Sequence, residues 1–516
     1  MNVVSTGQMY EIDKRAQTDY LIPSAAILEQ AGYQIACALR HELAEKDGAK
    51  IAVIAGHGNN AIDALIAARY LSNWGFSIKV FVLSTQDSLN TAMQLYIAML
   101  QEFNVEIIYM GTEFVWDRFS IAIRMCDIIL DGILGIGFVD ALTANFEKAV
   151  DIINKIPVKT VSIDIPSGCR ADTGEIPTIA VKADLTLTIC LPKQGLFLSP
   201  TNSHIGQLKV LEINIPRALT EQVSNTQLLT EDLIRPLLPE RNAHLHKYQV
   251  GKATIFAGNI GMVGAAFLAS TACMRIGAGL VDTFTMQATY PILAGKMTEA
   301  LVYPIGEDTP AQALQKFISS TKSSQSVLVG PGLGNNIYTK DFLPYILSNV
   351  NSKNLVLDAD ALSAAFAHPE LIKKYSGDII ITPHAGEFSR LINVNAATIE
   401  TNKIELARKF AISMNITVVL KGPVSIIALP TGEAYINNCA LTNMASAGMG
   451  DVLAGMITGL IAQGVSSKNA CLIAVYLHTY TAQTLQNKGL DVGMLATDLV
   501  NELPLAINYF KKSNKI

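Results

Sequence analysis

The feature that most constrains the fold is an alternation of short apolar runs with helical patterns, which occurs in two series along the chain. The apolar runs of the first series occupy residues 50–55, 78–83, 105–109, 127–130 and 158–163. Strands that alternate with helices form βαβ units, in which the strands are parallel. We therefore predict a doubly wound, Rossmann-like α/β sheet in this part of the chain.

A second series of the same kind begins after residue 250. Its apolar runs occupy residues 252–257, 326–329, 354–357, 378–381 and 417–420. A hairpin is predicted at 424–436, around Pro430-Thr431-Gly432. Between residues 216 and 248 the alternation lapses into a polar, proline-containing segment. A chain of 516 residues is too long for one ordinary core, so we predict two domains, 1–224 and 225–516.

The composition favours buried sheets and small-molecule chemistry. Half of the residues are hydrophobic and 16% are charged, which suits parallel strands that are buried on both faces. The net charge of −5 offers no basic field to nucleic acid, and no apolar run is long enough for a membrane span. The N-terminus lacks a signal-peptide pattern, and the seven cysteines are scattered without a CxxC pair. We therefore expect a cytoplasmic protein without a nucleic-acid or membrane partner.

Five loops in the second half have residues that are suited to phosphate chemistry. They occupy residues 258–266, 330–334, 382–387, 420–423 and 448–451. Ligands of such sheets bind beyond the carboxyl ends of the strands, and glycines let a phosphate approach backbone N–H groups. Asp451 directly follows the glycine turn, where a base could take a proton from an attacking hydroxyl. Each loop alone could be ordinary loop geometry, and the last could simply cap a packed helix.

Together with Arg241, His246-Lys247 and residues 275–281 and 357–362, these loops resemble the ADP- or ATP-dependent NAD(P)H-hydrate dehydratase family. The likeness runs from residue 228 to the C-terminus and implies a ribokinase-like α/β/α domain. The family pattern before the aspartate is Gly-Gly-Ser/Thr-Gly-Asp. Here Ala447 and Met449 depart from it, which removes a hydroxyl that could contact phosphate.

The resemblance implies a role for particular residues of the second domain. Asp451 would be the catalytic base of a lyase, in which a nucleotide phosphorylates the C6 hydroxyl of the hydrate before elimination. Mg²⁺ would bridge the phosphates of ADP or ATP. The nucleotide would contact Lys421, Gly422, Pro423, Val424, Ser425, Gly448 and Gly450. The hydrated nicotinamide nucleotide would contact Ala265, Gly332, Gly334, His384 and Asp451. His384 could instead only cap the helix that follows it.

In the first half, polar residues follow three predicted strands, at 58–63, 131–137 and 163–168. Oxygen ligands from separate strand ends could bind a cation. This grouping resembles the NAD(P)H-hydrate epimerase family, a Rossmann-like fold of the YjeF N-terminal type, over residues 1–216. The resemblance implies that K⁺ binds Asn60, Asp131 and Ser167 and that Asp164 is the catalytic carboxylate of an isomerase. It also implies substrate contacts at Asn59, Asn60, Asp63, Gly135, Gly137 and Asp164.

One departure affects the first domain. The epimerase family reads Gly-Asn-Asn-Gly-Gly-Asp-Gly, and Ala61, Ile62 and Ala64 replace three of these glycines. If those glycines let a phosphate contact the backbone, Ile62 would block it, because a β-branched side chain disfavours positive φ. Two hypotheses stay open for this domain: an active epimerase, or a retained fold with weakened or lost epimerisation.

The sequence therefore predicts a bifunctional repair enzyme for NADHX and NADPHX, the hydrates of NADH and NADPH. The first domain would interconvert the R and S hydrates, and the second would dehydrate the S hydrate, releasing AMP and phosphate when ADP is used. The alternative is a ribokinase-like small-molecule kinase with a non-catalytic N-terminal binding module. We also expect a homo-oligomer.

Overall fold

The chain forms two compact units in the computed structural model, Met1–Thr226 and Gln227–Ile516. The structure describes residues 1–43, 46, 48–111, 116–221, 223–240, 244, 246–306 and 308–512. Arg241, which contributed to the resemblance above, lies outside the described residues.

A seven-stranded parallel sheet, counted over the described ranges, organises the first unit. Its strands are β1 (Lys50–Ala55), β2 (Ser77–Val82), β3 (Glu106–Tyr109), β4 (Ile128–Gly132), β5 (Lys159–Ile163), β6 (Leu185–Ile189) and β7 (Gln207–Leu211). They lie in the order β3-β2-β1-β4-β5-β6-β7. The order reverses between β1 and β4, and this switch point is where doubly wound sheets bind their ligands.

Helices cover both faces of this sheet. They are α1 (Thr6–Thr18), α2 (Ser24–Glu42), α3 (Asn59–Asn73), α4 (Thr91–Glu102), α5 (Trp116–Arg124), α6 (Ala144–Lys155) and α7 (Arg217–Glu221). Alternate residues of β1 enter two different cores: Val53 packs in one cluster and Ile54 in the other. Burial on both faces explains why β1 is apolar from Ile51 onward instead of alternating with polar residues.

The second unit contains a ten-stranded sheet within the described part of the chain. Its strands are β8 (Thr226–Leu228), β9 (Lys252–Phe256), β10 (Leu280–Met286), β11 (Leu301–Ile305), β12 (Ser326–Val329), β13 (Asn354–Leu357), β14 (Asp378–Ile381), β15 (Thr417–Leu420), β16 (Val424–Ala428) and β17 (Ala434–Asn438). The order is β11-β10-β9-β12-β13-β14-β15-β16-β17-β8. The strands from β11 to β15 are parallel, and β16 forms the predicted antiparallel hairpin with β17. The order reverses between β9 and β12, which defines a second switch point.

The helices of the second unit begin with α8 (Glu231–Ile234), α9 (Lys247–Val250), α10 (Val263–Arg275), α11 (Tyr290–Lys296), α12 (Pro310–Ala313), α13 (Gln315–Thr321) and α14 (Ile337–Asn349). They continue with α15 (Asp360–Phe366), α16 (Pro369–Lys374), α17 (Ala385–Ile392), α18 (Ala396–Met414), α19 (Met449–Ala462), α20 (Ser467–Asn487) and α21 (Ala496–Lys512).

Helix α19 is buried and packs closely against α10. A Cβ added at Gly455 would lie 2.2 Å from the carbonyl oxygen of Ala269, so only glycine permits this approach. The apolar character of α19 therefore reflects burial in the domain core. Among the helices of the described residues, none combines the length and the hydropathy that a bilayer crossing requires.

The predicted α/β fold class is confirmed, and the predicted strands lie within two residues of β1–β5, β9, β12–β17. Strands β6, β7, β8, β10 and β11 are not among the predicted ones. Polar residues interrupt their apolar pattern, for example the buried Thr186 and Thr188 of β6 and Thr283 and Thr285 of β10. Hydroxyls of this kind are tolerated inside a sheet when they find hydrogen bonds, as Thr186 does with the carbonyl of Ile205 at 2.7 Å.

Candidate active sites

A cavity of about 510 Å³ lies at the switch point of the first sheet, beyond the ends of β1 and β4. The residues predicted to contact the substrate all line it, namely Asn59, Asn60, Asp63, Gly135, Gly137 and Asp164. The loop after β4 passes close to the start of α3, because a Cβ on Gly135 would lie 3.2 Å from Asn60 Cβ. The cavity also has residues outside these motifs, including Asp13 of α1 and Lys193.

The three predicted K⁺ ligands converge in one hydrogen-bond network beside this cavity. The Ser167 hydroxyl lies 2.6 Å from Asp131 Oδ1 and 3.1 Å from the Leu134 carbonyl oxygen, and Asn60 Nδ2 donates to that same carbonyl at 2.8 Å. Asp131 is fully buried and also accepts from the Ser162 hydroxyl at 2.7 Å. Burial raises the pKa of Asp131, whereas its hydrogen bonds oppose that rise. The network offers hard oxygen ligands of the kind that a simple cation takes.

Asp164 forms a buried ion pair with Lys193. It directly follows β5 and has a left-handed backbone, with φ of 65°. Its Oδ1 accepts from the ammonium of Lys193, the N–H of Ile189 at 3.0 Å and the hydroxyl of Thr188 at 3.2 Å. The Lys193 side chain is only 1% exposed, and it also donates to the Ile189 carbonyl at 2.9 Å. Three donors on one oxygen stabilise Asp164 as a carboxylate.

Two further carboxyl groups share the cavity with this ion pair. Asp63 is buried, and its Oδ1 has no hydrogen-bond partner among the described residues. Burial, followed by the charges of Asp164 and Asp13, raises the pKa of Asp63 well above its usual range. Burial also raises the pKa of Asp13 to about 6, although the charge of Lys193 opposes this. The cavity therefore holds carboxyl groups in more than one protonation state.

The expected obstruction by Ile62 is wrong, because the motif is helical. Helix α3 begins at Asn59, after the N-cap Gly58, so residues 61–64 lie within the helix. Ala61, Ile62 and Ala64 therefore need no positive φ, and all three are buried in the core that packs against α3. None of them lines the cavity. The side chains of these three residues therefore pack in the core and do not face the cavity.

In the second unit, the loops after several strands meet in one crevice. The Gly258 N–H donates to the Pro331 carbonyl at 2.8 Å, which joins the loops after β9 and β12. The Gly334 N–H donates to Asp360 after β13 at 2.8 Å. The Lys421 N–H donates to the Pro383 carbonyl at 2.8 Å, which joins the loops after β14 and β15.

Glycine is required where these loops approach one another. Gly332 has φ of 62°, and a Cβ there would lie 2.8 Å from the Ala265 Cβ. A side chain at this position would fill the space between the first two loops. Gly332, Gly334 and Ala265, which the sequence assigns to the substrate, therefore lie at the second switch point.

The Lys421 ammonium connects the crevice to the last loop. It lies 2.8 Å from Asp358 Oδ1, which also accepts from the Thr382 hydroxyl at 2.6 Å. Burial disfavours the charged form of Lys421, but the charges of Asp358, Glu387 and Asp451 and the Asp358 hydrogen bond raise its pKa overall. A Cβ on Gly450 would lie 3.1 Å from Lys421 Nζ. The ammonium therefore stands against the backbone of the glycine turn.

Asp451 lies in the first turn of α19, just after that glycine turn. The N-cap residue Gly448 is left-handed, with φ of 88°. Burial and the charge of Asp358 raise the pKa of Asp451 to about 7, with a further contribution from Asp360 and an opposing one from Lys421. A carboxyl group with this pKa can both accept and release a proton near neutral pH.

His384 caps helix α17 at the crevice. Its Nδ1 accepts from the N–H groups of Gly386 at 3.0 Å and Glu387 at 3.3 Å, and Glu387 accepts from the His384 N–H at 2.8 Å. In the neutral ring Nε2 then carries the proton, and the side chain is 56% exposed. The capping interpretation of His384 therefore holds, and the exposed Nε2 leaves a ligand contact open.

Lys403 of α18 supports the predicted nucleotide loop, Lys421 to Ser425, through a hydrogen bond to its backbone. This lysine is buried, and its Nζ donates to the Val424 carbonyl at 3.2 Å and pairs with Glu400 at 2.9 Å. Gly422 and Pro423 are exposed, whereas the Val424 side chain is buried in β16. Any contact of Val424 with a nucleotide would therefore use its backbone.

Sequence reasoning missed four residues of these sites as functional groups: Asp13, Lys193, Asp358 and Asp360. Asp13 has a recognisable pattern, because it lies four residues after the buried Met9 on the apolar side of α1. Lys193 follows the apolar run 189–192, where a lysine is unusual. Asp358 and Asp360 lie in the segment 357–362 that contributes to the resemblance. Their partners, Lys421 for Asp358 and the Gly334 N–H for Asp360, come from loops that are distant in sequence.

Comparisons with known proteins agree with the division of the chain into two units. The family model for NAD(P)H-hydrate dehydratase matches residues 253–505, and that for the YjeF-related protein N-terminus matches residues 24–195. The bifunctional NAD(P)H-hydrate repair enzyme of Moorella thermoacetica is 34% identical over 98% of this chain and 97% of its own length. That of Thermofilum pendens is 32% identical over 99% of this chain and 97% of its own.

A crystal structure of the ADP/ATP-dependent NAD(P)H-hydrate dehydratase from Bacillus subtilis, co-crystallised with ATP/Mg²⁺, is also similar. It is 30% identical, covers 55% of this chain and 98% of its own, and has a TM-score of 0.49. The full-length relatives extend over both units and both candidate sites. The chain belongs to the family of bifunctional NAD(P)H-hydrate repair enzymes.

Proposed function

We propose that this chain restores NADH and NADPH from their C6 hydrates. The first unit interconverts the R and S hydrates, and the second dehydrates the S hydrate at the expense of ADP or ATP. The observation that carries the proposal is the likeness to a bifunctional repair enzyme over 98% of the chain, since it extends through both strand-end aspartate sites.

The dehydration needs a better leaving group than hydroxide. Asp451 takes the proton of the C6 hydroxyl as that oxygen attacks the terminal phosphorus of the nucleotide. Phosphate then leaves C6 while C5 loses a proton, which restores the dihydropyridine ring. With ADP the products are NAD(P)H, AMP and phosphate. A pKa near 7 supports Asp451 as the base, because the group is partly ionised at neutral pH and can hold the proton it receives.

The electrostatics of the crevice suit a transferring phosphoryl group. Gly448 and Gly450 bring backbone to the N-terminus of the 14-residue helix α19, where N–H groups favour an anion. The Lys421 ammonium beside Gly450 adds a positive charge that Asp358 holds in place. Lys421 would thus neutralise charge that develops during transfer.

Mg²⁺ fits this crevice only as a companion of the nucleotide. Asp358 and Asp360 already accept from Lys421, Thr382 and Gly334. The described residues contain no group of three or more histidine, cysteine or acidic side chains that could hold a metal. When bound, Mg²⁺ supplies charge neutralisation between the nucleotide phosphates.

For the first unit we propose K⁺ at Asn60, Asp131 and Ser167, with the Leu134 carbonyl as a further oxygen ligand. These oxygens fit a cation because the Asn60 and Ser167 side chains both contact Leu134, and Ser167 contacts Asp131. Bound there, K⁺ supplies a positive charge that holds the loop after β4 against α3. Asp164 is the proposed acid–base carboxylate toward C6.

A single assay with the full chain tests the division of labour. A mixture of R and S hydrates is incubated with ADP and Mg²⁺, and each epimer is followed by chromatography. The unmodified chain should consume both epimers faster than spontaneous epimerisation allows, whereas D164A should stall when the S hydrate is exhausted. If the unmodified chain also stalls, the first unit is not an epimerase. If it consumes neither hydrate but phosphorylates a small alcohol, the kinase alternative holds.

Two further predictions remain part of this proposal. We expect the protein to be cytoplasmic and to form homo-oligomers. Light scattering of the purified chain measures its mass, and a monomer at micromolar concentration would contradict the second of these.

A further inference from the structure

The cavity of the first unit is lined by more carboxyl groups than the ammonium of Lys193 can neutralise. Asp13, Asp63, Asp164 and Lys193 all line it. Lys193 is buried and forms its ion pair with Asp164. Asp13 and Asp63 are left to share the same low-dielectric space. Two more negative charges would be costly there, so burial favours the neutral form of these two carboxyl groups.

Asp63 is the member of this cluster that is best suited to retain a proton. It is buried, and its Oδ1 has no hydrogen-bond partner in the described structure. Asp164, in contrast, collects three donors on its Oδ1. A carboxylate without donors is poorly stabilised, whereas a carboxylic acid needs only one acceptor for its own O–H.

We propose that Asp63 donates the proton in epimerisation. Asp164 is then the base that accepts a proton from the water molecule that adds to C6. This inference rests on the epimerase function proposed above. It assigns separate roles to two aspartates of one cavity, one neutral and one ionised, as paired carboxyl groups in different environments often have.

The step balances without a further reactant. Asp63 gives its proton to the C6 hydroxyl as the C6–O bond breaks, and the lone pair of the ring nitrogen forms a C6=N bond. The leaving group is water. A water molecule then adds to the other face of C6, its proton goes to Asp164, and the electrons of the C6=N bond return to nitrogen. A proton moves from Asp164 back to Asp63 through water in the cavity, which completes the cycle.

The charged and titratable groups around Asp63 come from several elements. Asp13 faces it from α1, Asp164 from the end of β5, Lys193 from the segment after β6, and Tyr96 from α4. Because Asp63 must carry a proton to donate it, epimerisation should fall as the pH rises and Asp63 loses that proton. This alkaline fall should depend on Asp63.

The test uses the full chain without nucleotide, so that dehydration does not remove the product. Pure S hydrate is added, and formation of the R hydrate is measured from pH 5 to 9, corrected for the spontaneous rate. D63N keeps the size of the side chain but cannot donate its proton, and it should lose at least about 10²-fold in kcat. The matched control is D87N, because Asp87 is an exposed aspartate of the same unit that does not line the cavity. It should keep both the rate and the pH profile.

A second measurement is independent of activity. The infrared band of a protonated carboxylic acid should be present at neutral pH in the unmodified chain and in D87N, and D63N should weaken it. Dehydration of the S hydrate with ADP should be unchanged in D63N, which verifies an intact second unit.

The outcomes separate this inference from the function on which it rests. If the unmodified chain forms no R hydrate above the spontaneous rate, both fail. If it does so and D63N matches it, only the role of Asp63 fails. A rise in KM with kcat unchanged would also overturn the proposal, because Asp63 would then only bind the substrate.

Discussion

Both units place an aspartate and a lysine at the ends of parallel strands, but the lysine has a different partner in each. In the first unit Lys193 binds the candidate catalytic Asp164 itself. In the second unit Lys421 binds Asp358 and leaves the candidate catalytic Asp451 outside the ion pair. The same residue types therefore produce an ion-paired aspartate in one site and a carboxyl group with a pKa of about 7 in the other.

The difference shows that the ion-pair partner decides which carboxyl group can exchange a proton near neutral pH. An ammonium and two more donors stabilise the negative charge of a carboxylate. A neighbouring carboxyl group that is buried without such donors retains a proton. In the second unit that group is the proposed base itself, and in the first unit it is Asp63, beside the proposed base.

The largest expected effect comes from removing the proton acceptor of the second site. D451N should lower the rate of nucleotide-dependent NADH recovery from the S hydrate by about 10²–10⁴-fold, since the amide cannot act as a base. Nucleotide binding, measured by calorimetry, should persist. D491N, at an exposed aspartate of the same unit, is the control and should retain full activity. Near-normal turnover of D451N would remove Asp451 from the mechanism.

Breaking the two ion pairs should have effects on stability that are confined to one unit. The only tryptophans of the chain, Trp74 and Trp116, both lie in the first unit, so their fluorescence during urea unfolding reports that unit. K193M leaves Asp164 buried without its cation and should reduce the free energy of unfolding by about 3–5 kcal/mol.

The matched variant K421M breaks the ion pair of the second unit. It should leave the tryptophan transition unchanged. An equal loss in both variants would show that the two units do not unfold independently.

The pH dependence of dehydration should reflect the pKa of Asp451. As a base, Asp451 must be ionised, so kcat/KM should rise as the pH increases through about 7 and then level off. The Lys421 charge lowers this pKa and the Asp358 charge raises it. K421M should therefore move the rise to higher pH, and a profile that stays in place would contradict the coupling between Lys421 and Asp451.

The smallest expected effect concerns the departure from the family glycine motif. A61G restores one of the family glycines, but residue 61 is buried inside α3, so the change should cost about 1 kcal/mol of stability in the tryptophan transition. Epimerisation should stay within about twofold of the unmodified chain, because Ala61 does not line the cavity. A large increase in epimerisation would restore the hypothesis that these replacements obstruct the substrate.

The sequence by itself determined the fold class and most strand positions of this protein. Hydrophobic periodicity is a local property, so uninterrupted apolar runs such as 50–55 and 326–329 identified strands directly. Strands with buried threonines, such as β6, were not predicted, because the polar residues interrupt the apolar pattern. Their hydroxyls bond partners that are distant in sequence, as Thr186 does with Ile205. The glycine loops were also recognisable, since left-handed residues such as Gly332 and Gly448 are locally demanding.

Only the tertiary structure decided which charges meet. Asp13 and Asp63 share a cavity with Lys193 although they are far apart in the chain. Lys421 forms its ion pair with Asp358 and not with Asp451. The tertiary structure also showed that Ile62 is buried within α3 and does not line the cavity. Ion pairing and protonation depend on burial and on distances between separate elements, and neither quantity is contained in local sequence.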